Sequence, residues 1–344
     1  MSLDKVTIVE VAKLANTSIA TVSRVINNND YVSEAARIRV ENAINELNYK
    51  PLVLTRNSVR KGLKTIGILV PDLNNLFFSQ EIMGIEDEFE KFNYSILLCN
   101  TYENIQKEIK YINDLKKKNV DGIILMGARS KKNANDHIVA LSKEMPMVMI
   151  NDYIIGSDVY AVMIDVVNGA YKAVKYLIEL GHKKIAFING SADNSTYNSK
   201  HNGYVQALKN NGIALNERYM LKVEPYEDGG YYGVQKLLQL KDPPTAIFTA
   251  SDQIALGAIS AIYEAGFTIP KDFSIVGFSN IPLSKRLFPS LTTVDQFPYK
   301  TGTMAANILL KAINGEELGQ RKIILEPELL VRNSCAGMGE NNNS

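Results

Sequence analysis

From Lys64 onward the sequence alternates short, wholly apolar runs with longer segments that are apolar on one face only. The runs are IGILV (66–70), SILLC (95–99), GIILM (122–126), MVMI (147–150), AVMI (161–164), IAFI (185–188), AIF (246–248) and SIVGF (274–278). Between most of them lie stretches of helical length, such as Phe77–Lys91, Ile105–Lys118, Asn168–Leu180 and Gln253–Ala265. A run apolar on both faces suits a strand covered above and below, and its alternation with helices predicts βαβ units and parallel sheets. Gly181, Gly212 and Gly266 each follow a helical stretch, as expected of a helix C-terminus. Roughly 280 residues exceed what one core holds, so two doubly wound lobes are expected. Ligands of such sheets sit beyond the carboxyl ends of the strands, here in the cleft between lobes.

Residues 1–50 follow a different period. Ile8, Val11, Ala12 and Leu14-Ala15 form one helical apolar face, Val22, Val25 and Ile26 a second, and Ile38, Val40, Ile44 and Leu47 a third. Pro51 bars helix in the residue before it, and residues 52–64 read as a linker with a short helix ending near Gly62. Val6–Asn27 reads as two short helices joined by a tight turn. Asn16 suits a left-handed turn residue, Ser18 a helix cap, and Ile19 the first residue of the second helix. A helix opening on small, polar and basic residues is what a helix-turn-helix offers to the DNA major groove. Arg24 suits bidentate contact with guanine, Thr21 and Ser23 suit bases or phosphates, and Ile19 and Ala20 suit a thymine methyl. The bland alternative is a small helical bundle with a solvated polar face.

Charge agrees with the first reading. Residues 1–64 hold ten Lys/Arg against six Asp/Glu, a net of +4, while the rest hold 28 against 31, a net of −3. Two cysteines, Cys99 and Cys335, give no disulfide framework and no metal spacing. No apolar run is long enough for a membrane span and no signal peptide is visible, so a cytoplasmic protein without membrane association is expected. The sequence lacks a phosphate-binding Gly-rich loop, a nucleophile elbow and a His/Cys cluster, so neither enzymatic activity nor a cofactor or metal is expected. Of the histidines, His182 reads as a packing residue and His201 as a neighbour of the cleft or a solvated residue. Asp72, Asp121, Asp165 and Asp252 sit at strand ends, where helix capping is the default.

TIVEVAKLANTSIATVSRVIN, then YVSEAARIRVENAINELNYKP, TIGILVPDLNNLFF, GIEDEFEKFNY, VDGIILM, LIELGHKKIAFING, PTAIFTASDQIALGAI, DFSIVGFSN and PSLTTVDQF, resemble the LacI/GalR family of transcriptional regulators in order and spacing. The resemblance implies an α/β fold: an N-terminal helix-turn-helix headpiece of three helices (1–51), a hinge (52–63) and a two-lobed core (64–340) like that of periplasmic binding proteins. Its N-lobe would span about 64–161 and 293–323, its C-lobe about 162–292 and 324–336. It implies a regulator, in the main a repressor, that binds a pseudo-palindromic operator as a homodimer under control of an effector. A solute-binding protein is the alternative of another class.

Residue by residue, the resemblance puts Thr7, Ser18, Ile19, Ala20, Thr21, Ser23, Arg24 and Asn27 against DNA, with Tyr31 and Ser33 on its backbone and Arg56 and Ser58 in the hinge. Ile19-Ala20 is closer to the Met-Ala of catabolite control proteins than to the Tyr-Gln of the lactose repressor, which implies an operator like a catabolite-responsive element. The hinge departs from the family pattern, with Leu52, Thr55 and Ser58 where Asn, Ala and the minor-groove Leu usually stand; either Val59 or Leu54 replaces the wedge or the central kink is weaker.

The implied effector set is Phe78, Asn151, Asp152, Lys200, Ser251, Asp252 and Ser279. It also departs from the family: Lys200 replaces an Arg, Ser279 an Asp, and Asn151 an Asp. Carboxylate pairing to sugar hydroxyls is thereby depleted, which argues against a simple hexose and leaves a sugar derivative or another metabolite. A second possibility is a protein effector, the serine-phosphorylated phosphocarrier protein HPr. Tyr299 and Lys311 match its docking helix in catabolite control proteins, while Asn307 stands where a basic residue is usual.

Overall fold

The computed structural model describes residues 6–26, 32–47, 49, 64–127, 135–155, 157–190, 195–316 and 318–338. The chain divides into two compact units, 1–63 and 64–344.

The first unit holds α1 (Ile8–Leu14), α2 (Ile19–Ile26) and α3 (Glu34–Glu46). Val11, Ala12, Ala15, Val22, Val25, Val40 and Ala43 make its core. Leu14 and Ile38, expected on the inner faces, are instead 44% and 50% exposed. With helices of only seven, eight and thirteen residues, the buried stripe is too narrow to take in every apolar position. The α1–α2 turn depends on Asn16 at φ +46°, a conformation that Asn tolerates better than branched residues, and on the Thr17 N–H donating to Ala12 O at 3.0 Å. The expected linker and hinge residues, Pro51, Arg56, Ser58, Leu54 and Val59 among them, lie outside the described residues, as do Asn27 and Tyr31.

The second unit is built on two six-stranded sheets. The first has the order β11-β5-β4-β3-β1-β2, with β1 Thr65–Val70, β2 Ser95–Asn100, β3 Gly122–Met126, β4 Met147–Ile150, β5 Tyr160–Ile164 and β11 Lys322–Leu325. The second has the order β12-β10-β9-β8-β6-β7, with β6 Ile185–Gly190, β7 Met220–Val223, β8 Ala246–Thr249, β9 Ser274–Ser279, β10 Thr292–Asp295 and β12 Glu328–Leu330. The two sheets are parallel as expected, with one antiparallel edge pair, β10 and β12.

Each expected apolar run forms a strand. Of those inside the sheets, β3, β4, β6, β8 and β9 are buried along their whole length, as two covered faces require, and β1 and β5 along most of theirs. Four strands carry no such run. β7, β11 and β12 are edges, partly open to solvent, so they carry polar residues. β10 is central but starts on buried Thr292 and Thr293, whose hydroxyls are hydrogen-bonded inside. The chain crosses between sheets after Ile164, Asp295 and Leu325, a few residues beyond the expected points at 161, 292 and 323, because β5, β10 and β11 each stay whole in one sheet.

The second lobe is anchored by an aromatic stack: the Phe187 ring lies 5.2 Å from that of Tyr204 and 4.9 Å from that of Phe248. Burying each such ring stabilises by about 2 kcal/mol. Glycine lets packed helices touch backbone to backbone. α9 (Glu227–Leu238) meets α10 (Asp252–Glu264), where a Cβ on Gly257 would stand 1.7 Å from Glu227 O. α4 (Leu76–Glu90) meets α11 (Pro298–Ile313), where a Cβ on Gly302 would stand 2.1 Å from Glu81 O. No described helix is long and apolar enough to cross a membrane. G257A and G302A should each lower the unfolding free energy by about 1–3 kcal/mol in urea titrations. G319A, where a Cβ meets nothing within 4 Å, should stay within about 0.5 kcal/mol of the parent.

Candidate functional site

In the first unit, α2 starts where Ser18 caps it: the Thr21 N–H donates to Ser18 Oγ at 3.1 Å, and the two hydroxyls are 2.9 Å apart. Val22 and Val25 face inward, which turns Ser18, Ile19, Ala20 and Arg24 to solvent and leaves Thr21 and Ser23 half-buried. Ile19 is 49% exposed although isoleucine favours the interior. Thr7, exposed at the head of α1, donates from its N–H and hydroxyl to Glu10 Oε2 at 2.6 and 3.0 Å, and these bonds hold the Glu10 carboxyl below its ordinary value. Ser33 is exposed at the head of α3. Of the described residues expected to face DNA, Thr7, Ser18, Ile19, Ala20, Thr21 and Ser33 stand at the starts of three helices, where N–H groups favour anions, and Arg24 stands in the last turn of α2.

In the second unit a cavity with about 650 Å³ of atom-free space, its open mouth included, lies between the lobes. Its wall is made by residues that directly follow strands: Pro71 after β1, Gly127 after β3, Asn151 after β4, Ala250-Ser251 after β8, and Ser279 ending β9. This is where open parallel sheets place ligands. Three of these residues hold a left-handed backbone: Gly127 at φ +88°, Asn151 at +67° and Ser279 at +126°. For Asn151 and Ser279 that conformation is strained, a feature that clusters at binding sites.

Phe78, Asn151, Lys200, Ser251 and Ser279 of the expected effector set line the cavity. The Phe78 and Phe77 rings meet edge to face at 5.5 Å. Ser251 caps α10 by accepting from the Ile254 N–H at 3.2 Å. Ser279 Oγ accepts from Gln296 Nε2 at 3.1 Å. Lys200, on α8 (Ser195–Asn210), is 4% exposed; its Nζ donates to Ala250 O at 2.7 Å and lies 4.3 Å from the Phe278 ring centre. Burial drives its ammonium from the ordinary 10.5 down to about 7, against the pull of Asp252.

Two expected residues do not line the cavity. Asp252 is fully buried behind it, accepting from the Thr293 hydroxyl at 2.6 Å and the Ile281 N–H at 2.9 Å. Both oxygens serve the β9–β10 region, and burial lifts the carboxyl to about 6. Asp152 turns one oxygen to the Tyr153 N–H at 2.7 Å. Among the strand-end aspartates only Asp165 caps a helix, at α7 (Val166–Glu179); Asp121 instead accepts from the Thr65 N–H at 3.1 Å. His182 is a packing residue, with its ring nitrogens on Thr245, Ser274 and Ala336 O. His201 does not line the cavity.

The sequence reading missed Asn75, Glu103, Tyr197 and Gln296, which also line the cavity. Gln296 follows β10, a strand without an apolar run, so nothing placed it at a strand end. Glu103 restores a carboxylate to a wall that looked depleted of them; partial burial, then Asp72, push it above its ordinary value. Asp72 in turn accepts from the Tyr226 hydroxyl at 2.7 Å, joining the lobes beside the cavity.

With both surfaces described, comparison with known proteins decides the family. Residues 7–51 match the model for bacterial regulatory proteins of the lacI family, and residues 63–333 that for periplasmic binding proteins and the sugar binding domain of the LacI family. The chain belongs to the LacI family. It is a DNA-binding transcriptional regulator. It is 38% identical over 332 residues to the HTH-type transcriptional repressor CytR of Escherichia coli K12, covering 96% of this chain and 97% of that one. A LacI-family regulator from Enterococcus faecium with bound ribose superposes with a TM-score of 0.72 at 31% identity, over 80% of this chain and 99% of that one. The lac repressor dimer bound to operator and the anti-inducer ONPF superposes with a TM-score of 0.74 at 25% identity, over 97% and 100%.

A base with a depressed folded-state value binds fewer protons than its unfolded form between the two values, so stability rises with pH there. For Lys200 that window runs from about 7 to 10.5. K200M should flatten the rise, seen as a smaller gain in denaturation midpoint between pH 7 and pH 9.5 than in the parent.

Proposed function

We propose that this LacI-family regulator is a cytoplasmic repressor that binds a pseudo-palindromic operator as a homodimer and changes its grip when a small molecule occupies the inter-lobe cavity. The observation that carries the DNA half is α2, capped at Ser18, buried on Val22 and Val25, and open at Ile19, Ala20 and Arg24. Thr7, Ser18, Thr21, Ser23 and Ser33 position the headpiece on the backbone or read beside it, and Asn27, Tyr31, Arg56 and Ser58 extend the contact by family resemblance. R24A should weaken specific binding by about 1–3 kcal/mol and relax the preference at one base pair, read by gel shift on operators selected from a random DNA library. Selection should return a catabolite-responsive-element-like consensus; an unrelated consensus sinks the Ile19-Ala20 reading.

The cavity supports a small effector. Phe77, Phe78 and Tyr197 give flat apolar walls, and Asn75, Asn151, Ser251, Ser279 and Gln296 give neutral hydrogen-bonding groups beside the Glu103 carboxyl. That lining suits a polyhydroxylated molecule with one apolar face, such as a sugar or sugar derivative. A phosphoprotein effector has less support. On α11, Asn307 bonds its own helix at Thr303 O (3.0 Å), and the Tyr299 hydroxyl is engaged by Asp87 at 2.7 Å. A screen of sugars, sugar phosphates, uronates and nucleosides tests the effector: one should both raise the melting temperature and alter operator affinity. An effector that favours one lobe arrangement shifts the fit of two headpieces to two half-sites.

Homodimerisation has support in the apolar side chains left open on both lobes. Phe288 is 96% exposed, Met83 49% and Leu98 46%. F288E should shift the protein toward monomer in light-scattering measurements and reduce operator affinity with it.

A further inference from the structure

Glu81 is a fully buried carboxyl on α4. Its Oε1 accepts from Asn151 Nδ2 at 2.8 Å. Its Oε2 has no partner, and neither has Asn151 Oδ1, although both atoms are buried. While Glu81 is ionised these two leftover atoms are both acceptors, and neither can serve the other. A neutral carboxylic acid and a primary amide instead pair through two hydrogen bonds, N–H to acid oxygen and acid O–H to amide oxygen. The first bond is present. A proton on Oε2 supplies the second and satisfies both leftover atoms. No cation stands by to hold Glu81 ionised. Of the ionisable groups around it, Tyr299 of α11 turns its hydroxyl to Asp87, and Lys300 lies 5.7 Å from the Phe297 ring centre. Glu88 is paired with Lys91, Asp152 accepts from the Tyr153 N–H, and Lys200 donates to Ala250 O; β1 and β4 hold no ionisable residue. Burial lifts the Glu81 carboxyl to about 8, against the smaller opposing effect of the Asn151 bond.

The helix side of the pair has no room to give. A Cβ on Gly302 would stand 2.1 Å from Glu81 O and one on Gly84 2.1 Å from Tyr299 O, so α4 and α11 already meet backbone to backbone. Asn151 is the softer side: it follows the last residue of β4, holds a strained φ of +67°, and lines the cavity. We propose that Glu81 is protonated in the folded protein, as the acid half of a neutral acid–amide pair with Asn151, and that loss of this proton is a switch that loosens the Asn151 wall of the cavity. Ionisation leaves two unpaired acceptors beside a buried charge, and relief comes from Asn151 turning away or from water entering on the cavity side. A carboxyl whose folded value is raised binds more protons folded than unfolded between about 4.5 and 8, so its contribution to stability falls as pH rises through that window. The consequence for an effector rests on the reading that the cavity takes a small molecule; the proton and the wall do not.

E81Q is the permanent likeness of the neutral pair: its Oε1 accepts from Nδ2 and its Nε2 donates to Oδ1 at every pH. E81L is also uncharged but offers Asn151 no partner. Infrared spectra of the full chain in D2O, wild type less E81Q, should show the carbonyl stretch of a neutral carboxyl at pH 7 that fades by pH 9.5. The wild-type spectrum at pH 7 less that at pH 9.5 reads the same proton without any variant. Between about pH 5 and pH 8.5 the folding equilibrium of the wild type should fall about tenfold or more relative to that of E81Q, read from urea midpoints. In hydrogen exchange at pH 9, the segment 147–153 should exchange faster in wild type than in E81Q, while α4 exchanges alike in the two. At pH 6 that segment should be slow in wild type and E81Q and faster in E81L. Absence of the neutral-carboxyl band at pH 7, parallel pH dependence in wild type and E81Q, or no gain in exchange at 147–153 overturns the proposal. None of these measurements uses an effector, so failure of the small-molecule reading shows in the effector screen instead.

Discussion

Everything in the core follows from parallel strands covered on both faces. Such strands end together, and each chain segment leaves the sheet at the same edge. β1, β3, β4, β8 and β9 therefore deliver Pro71, Gly127, Asn151, Ser251 and Ser279 to one place without any of these residues attracting another. The chain crosses between the sheets three times, so the two edges face each other across a cavity with side chains from both. The tight backbone turns at Gly127, Asn151 and Ser279 are the local cost of stopping strands so abruptly.

The cavity is surrounded by ionisable groups that burial has pulled toward neutrality. Lys200 falls to about 7, Asp252 rises to about 6 and Glu81 to about 8. Their hydrogen bonds go mostly to the protein: Lys200 to Ala250 O, Asp252 to Thr293 and Ile281, Glu81 to Asn151. These groups set the shape and polarity of the wall more than they offer charge to a ligand. A regulator gains from this, because a weakly charged site distinguishes ligands by the pattern of donors and acceptors they present. A ligand that bridged both walls would add to the lobe contact already made by Tyr226 and Asp72.

The headpiece was readable because its determinants are local. Asn16 in a left-handed turn, Ser18 as a cap and Ile19 as the first helical residue are all matters of a few consecutive residues, and each appears as expected. The same holds for the interior strands, whose apolar runs admit no other placement. The edge strands β7, β11 and β12 and the Thr-rich β10 were invisible, since partial exposure or internal hydroxyl bonds remove the apolar signal. Losing β10 hid Gln296, and with it part of the cavity wall.

The sequence by itself determined the α/β alternation, the helix-turn-helix and the face of α2 that is open to solvent, because hydrophobic period and capping act over one or two turns of chain. Only the tertiary structure decided which polar residues meet the cavity. Asp252 adjoins Ser251 in sequence, yet it faces Thr293 and Ile281 in the interior. Glu81 lies in a helix that reads as ordinary, yet it reaches Asn151, 70 residues on. Contacts of that range are set by how sheets and helices stack, and no local pattern encodes them.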